Sequence, residues 1–90
     1  MEEATAKKDA VHVRISRATE IVWEGDASTL TASNGEGPFD ILPLHAHFIS
    51  ILDSKPIVVI ETSGERREFM FDKSVMHVKD DLVSIYVNIV

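Results

Sequence analysis

Cysteine is absent from the 90-residue chain, so no disulfide framework, thiolate metal site or cysteine nucleophile is available. That agrees with a reducing, cytosolic compartment. Basic residues are in the minority, 9 Lys+Arg against 15 Asp+Glu for a net charge of −6. This argues against a nucleic-acid binder, which lives by neutralising phosphates, and against anionic membrane surfaces. No apolar run approaches the roughly 20 residues that span a bilayer, so no membrane insertion is expected and any membrane association should run through a protein partner. The opening "MEEATAKKDA" lacks the apolar centre of a signal peptide and reads as a solvated tail over residues 1–10. Glycine is scarce, 4 in all, and "SNGEGP" has no Lys-Ser/Thr after Gly35 and Gly37, so it is a loop rather than a phosphate cradle.

What the chain does have is β-branched side chains: Val and Ile outnumber Leu 19 to 5, a bias that suits a pleated surface. Val11, Val13 and Ile15 alternate with His12, Arg14 and Ser16, and Val83, Ile85, Val87 and Ile89 alternate with Ser84, Tyr86 and Asn88. Strands are predicted near 11–17, 20–23, 26–33, 38–42, 47–52, 56–62, 66–71, 74–78 and 82–89, with tight turns at Ser63–Glu65 and Lys79–Asp81. "PIVVIE" is apolar on both faces, as a strand covered on both sides would be. "HFISILDS" fits a helical turn as well as a strand and is assigned as strand. So many short strands cannot form one flat sheet without leaving a wet apolar face. The expected fold is all-β, a two-sheet antiparallel β-sandwich or flattened barrel of about nine to ten short strands occupying residues 11–90.

The chemically suggestive feature is His45 and His47 within "GPFDILPLHAHFISIL". On a strand, residues i and i+2 share a face, so both imidazoles would reach one ion. The cupin pattern, however, wants a glutamate four residues after the second histidine, where Ile51 stands, and Glu61, His77 and His12 have no telling spacing to the pair. No metal or cofactor is therefore expected. Ser50 and Asp53 follow His47 by three and six residues, but no nucleophile elbow surrounds a serine. Asp80 and Asp81 are adjacent, which suits a turn and not a shared proton. The rings of Trp23, Phe39, Phe48, Phe69, Phe71 and Tyr86 read mostly as core, because an acidic chain is a poor single-strand binder. No catalytic residues emerge, and the residues alone point to a small domain that binds another protein.

The stretch "GEGPFDILPLHAHFISIL" resembles the signature of the epsilon subunit of rotary F-type ATP synthases, with Gly37, Ile41, Pro43, His45 and Ala46 in the motif positions. Trp23-Glu24-Gly25 resembles the family's aromatic-any-glycine turn, and "VMHVKDDLVSIYVN" its last hairpin. The resemblance implies the N-terminal β-sandwich of a non-catalytic rotor subunit. Such a subunit is peripheral on the cytoplasmic face of the bacterial inner membrane or its organellar equivalent, and a monomer when isolated. There it binds the gamma subunit and contacts the c-ring, coupling ion flow to ATP synthesis or hydrolysis. Carried over by position, Pro43, Leu44, His45 and Phe48 are expected near gamma, and Glu36, Gly37 and Pro38 in the loop facing the c-ring. Four residues, Leu44, Lys55, Lys73 and Ser74, stand where the family usually has glycine, and His47 replaces a proline. The family's C-terminal two-helix hairpin has no counterpart before Val90, so the regulation it provides is not expected of this chain. Two other readings compete: a diverged β-sandwich adaptor with new partners, and a cupin-like metal barrel using His45 and His47.

Overall fold

The computed structural model describes residues 10–43 and 47–87. The described residues form eight strands: β1 Val11–Arg17, β2 Glu20–Asn34, β3 Gly37–Ile41, β4 His47–Leu52, β5 Ile57–Glu61, β6 Arg66–Phe69, β7 Ser74–Lys79 and β8 Leu82–Val87. There are fewer strands than expected because the segments predicted at 20–23 and 26–33 are one continuous strand. At about 3.3 Å per residue, a straight strand of that length would span roughly 46 Å, whereas the longest extent of the molecule is 38 Å. β2 must bend, and it does so at a bulge: against β5 the register runs Ala27↔Glu61 and then Thr29↔Ile60, leaving Ser28 unpaired. The extra residue reverses the alternation, so the inward set changes from Trp23, Gly25 and Ala27 to Leu30 and Ala32.

Because β2 bends, it belongs to both layers. Its first half pairs with β1 over Glu20–Ala27, and its second half with β3 on one edge and β5 on the other. One layer is therefore β4-β7-β8-β1 with the first half of β2, and the other is β3, the second half of β2, β5 and β6. β4 returns to β2 at a single pair, Asn34↔Leu52, which closes the sandwich into a flattened barrel. One pairing departs from an all-antiparallel plan: β1 and β8 run parallel, His12↔Leu82 to Ser16↔Tyr86.

Val11, Val13 and Ile15 from β1, Met76 and Val78 from β7, and Val83, Ile85 and Val87 from β8 meet Leu30, Ala32, Ile57 and Val59 in a single core. Trp23, Phe39, Phe48, Phe69 and Phe71 pack against this core only partly buried, and Tyr86 is exposed. The rings line its rim rather than filling it. Trp23 lies against Phe69, centroids 5.8 Å apart, and Phe69 stacks on Phe71. The Trp23 ring also covers Gly25, where a Cβ would meet its carbons at 2.8 and 2.9 Å. Trp23-Glu24-Gly25 is thus mid-strand, not a turn, and its glycine is needed for ring clearance.

The turns are as their residues demand. Asp80 and Asp81 have φ of 51° and 63°, the two left-handed positions of a type I′ hairpin. Gly64 and Gly37 sit at positive φ as well. Lys55, Lys73 and Ser74 do not, so the glycines expected there are not conformationally required; Leu44 lies outside the described residues. β5 is paired on both edges, but Val58 and Ile60 remain half-buried, so its outer face is only partly covered.

Candidate docking site

At one end of the sandwich the β2–β3 hairpin stands beside β4, and the two enclose a shallow hollow of about 470 Å³. Asn34 builds it. Its Oδ1 accepts the Glu36 backbone N–H at 2.9 Å, folding the hairpin tip, while its Nδ2 donates to Ser50 Oγ at 3.1 Å, tying the tip to β4. The Asp53 N–H donates to the Ser33 carbonyl at 2.8 Å below this. On the hairpin's own surface the Thr31 hydroxyl donates to Asp40 at 2.7 Å. Phe39 and Phe48 meet edge to face across the hollow, with centroids 6.2 Å apart.

Of the candidate site residues, Glu36, Gly37, Pro38 and Phe48 line this hollow together. Pro43 is half-buried just beyond β3, and Leu44 and His45 lie outside the described residues. Among the described residues β3 pairs with β2 and makes no ladder with β4.

β4 explains its own ambiguous sequence. Phe48, Ser50 and Leu52 face inward, while His47, Ile49 and Ile51 face solvent, the two isoleucines each 69% exposed. Ile51 lies opposite Val75, and Val75 opposite Tyr86, so an apolar band crosses β4, β7 and β8 on the outer face. Apolar residues on both faces mimic a helical pattern; the cause here is an outer face left bare. The same alternation separates His47 from Ser50, which point to opposite faces and cannot work as base and nucleophile.

A second polar cluster, which the spacing of residues did not reveal, lies on the outer side of β1 and β2. His12 Nδ1 is 2.8 Å from Asp26 and its Nε2 is 2.5 Å from Glu24, with Arg14 3.4 Å from the same Glu24. Burial pulls the His12 pKa down, but the hydrogen bonds to Glu24 and Asp26 outweigh it and the pKa is raised. Glu24 is lowered, chiefly by its hydrogen bond to His12. Because the β1–β2 register places His12 opposite Asp26, three residues scattered in sequence become neighbours. Arg67, bonded to Glu61 and lying 5.5 Å over the Trp23 ring, ties β6 to the sandwich edge.

The described residues thus form a β-sandwich with a bare apolar band on one outer face and a hollow at its hairpin end. The ATP synthase Delta/Epsilon chain β-sandwich domain matches residues 10–90, and the chain belongs to that family. The ATP synthase epsilon chain of Xanthomonas oryzae pv. oryzae is 30% identical over 74 residues, 82% of this chain and 53% of that protein. That of Streptomyces avermitilis is 29% identical over 55 residues, 61% of this chain and 44% of its own length. The chain thus spans about half the length of the curated relatives it matches. In structure it resembles a chain of the Euglena gracilis mitochondrial ATP synthase OSCP/F1/c-ring assembly, with a TM-score of 0.79 at 17% identity over 96% of this chain and 54% of that one. It also resembles one from the Tetrahymena thermophila mitochondrial ATP synthase central stalk and c-ring, with a TM-score of 0.70 at 15% identity over 93% of this chain and 66% of that one. At these identities the likeness is one of fold.

Proposed function

We propose that this chain is a non-catalytic rotor subunit of a membrane-associated, proton-translocating F-type ATP synthase, peripheral on the cytoplasmic face or its organellar equivalent. It joins the gamma subunit to the c-ring and passes torque between them. The observation that carries the reading is the hollow, where the β2–β3 hairpin tip and the start of β4 converge. Glu36, Gly37 and Pro38 present a rigid, exposed tip for a c-ring loop, since Asn34 braces it from both sides. Pro43, Leu44, His45 and Phe48 supply the gamma-facing side. Ile49 and Ile51 add apolar surface on the outer face of β4, which a solitary domain rarely leaves bare.

The test is co-elution with the cognate gamma subunit on a sizing column, with a 1:1 complex expected. Ile49→Asp, at a solvent-facing position, should leave the melting temperature of the isolated domain within a few degrees of wild type and abolish the complex. Failure of wild type to co-elute at low and at moderate salt refutes the rotor assignment in favour of an adaptor with another partner.

A further inference from the structure

We infer that His47 and His77 form a metal clasp between β4 and β7, a two-imidazole site for a borderline divalent ion of the Zn²⁺, Ni²⁺ and Cu²⁺ class. The pairing is not the one the sequence offers. His77 lies directly opposite Ile49, one diagonal step from His47, and the two rings approach with centroids 6.4 Å apart at an interplanar angle of 62°. Neither imidazole makes a hydrogen bond or ion pair with any described residue, in contrast to His12, both of whose nitrogens are engaged. Two ring nitrogens are therefore free to bind.

Imidazole nitrogens bind such ions at about 2.0–2.1 Å, which places the two ring centres roughly 5 Å apart around a tetrahedral ion. The rings must close by about an ångström. Exposed His47 and half-buried His77 can do so by side-chain rotation. The chemistry of the face selects the ion. None of the outward-facing residues of β4, β7 and β8 is Asp or Glu, so the carboxylates that anchor Ca²⁺ and Mg²⁺ are missing from this face, whereas neutral imidazole suits the later transition ions. No third protein ligand joins the pair among the described residues, and water completes the coordination. Lys79, the direct partner of His47, places an ammonium group nearby and weakens the site.

The consequence is mechanical. β4 is held by β7 along its length but by β2 at one pair only, so an ion bridging His47 and His77 pins the strand that carries Phe48 and borders the hollow. An ion that binds the folded state alone also raises its stability by mass action. The clasp is independent of the gamma assignment.

The experiment is a Zn²⁺ and, separately, a Ni²⁺ titration of the purified chain, followed by melting temperature and by the imidazole resonances in NMR. Wild type should show a saturable rise in melting temperature, reversed by EDTA, with Zn²⁺ shifting the resonances of His47 and His77 together. His47→Ala and His77→Ala should each abolish the rise, His12→Ala should leave it intact, and Lys79→Ala should tighten binding. The inference is overturned if wild type does not respond at millimolar ion, or if the response survives His77→Ala. Loss in His47→Ala alone would give His47 a different partner and equally refute the clasp.

Discussion

Adding one methyl group at Gly25 tests the packing of the sandwich rim. In Gly25→Ala the new Cβ would stand 2.8 Å from Trp23 Cζ2 and 2.9 Å from Cη2, distances no carbon pair tolerates. The indole cannot simply swing clear, because Phe69 holds it on one side and the Arg67 guanidinium lies over it. Relief must come from displacing this stack or the β1–β2 register. Overpacking of this kind costs about 1–3 kcal/mol. For a domain of this size each kcal/mol lowers the melting temperature by about 4–8 °C, so Gly25→Ala should melt about 8–16 °C below wild type for a cost near 2 kcal/mol. Trp23 is the sole tryptophan, so its fluorescence reports both urea unfolding and any displacement of the ring in the folded state. The urea midpoint should fall with little change in slope. Gly35→Ala is the control: it has nothing within 4 Å of the added carbon and should stay within about 0.5 kcal/mol. Trp23→Leu should remove most of the extra cost of Gly25→Ala, giving a coupling energy of about 0.5–3 kcal/mol in a double-mutant cycle. A Gly25→Ala protein that melts with wild type, or one equally destabilised in the Trp23→Leu background, refutes the clearance argument.

Two further outcomes follow from the described contacts. Since the folded-state pKa of His12 is raised, its contribution is fully present below the unfolded imidazole value near pH 6.5 and is lost as pH rises through the folded pKa. Melting temperature should therefore fall across that window in wild type and fall less in His12→Gln; identical profiles would show that the Glu24–His12–Asp26 bridge contributes nothing. Ser74 is 1% exposed, and its hydroxyl finds no hydrogen-bond partner among the described residues. Ser74→Ala should thus stabilise the domain by about 1 kcal/mol in urea unfolding, and a destabilised variant would reveal a bond that the geometry lacks.

Much of the fold was legible because β-branched alternation is a local signal. The inward sets Val11, Val13, Ile15 and Val83, Ile85, Val87 are buried as their period predicts, and Lys79–Asp81 turns as adjacent aspartates allow. β2 was not legible as one strand, since Trp23-Glu24-Gly25 resembles a turn, whereas its glycine serves to clear the indole within a continuous strand. β4 was ambiguous because apolar residues occupy both its faces, and only the fold shows that one of them meets water. Of the proposed docking residues, the motif supplied positions but no shape. The hollow exists because Asn34 reaches Ser50, two residues that nothing in the sequence connects.

The all-β class, the inward alternation of the end strands and the hairpin turns were present in the chain before it folded, since each depends on neighbours within a few positions, and the family resemblance was present in the order of short motifs along it. Which distant residues meet was settled by folding: His12 with Glu24 and Asp26 by hairpin register, and Trp23 with Phe69 by closure of two layers. Folding also gave His47 a neighbour that spacing along the chain did not offer. His47 projects from the outer face of β4 and finds its neighbour on β7, because cross-strand register, not spacing along one strand, sets which imidazole stands beside it.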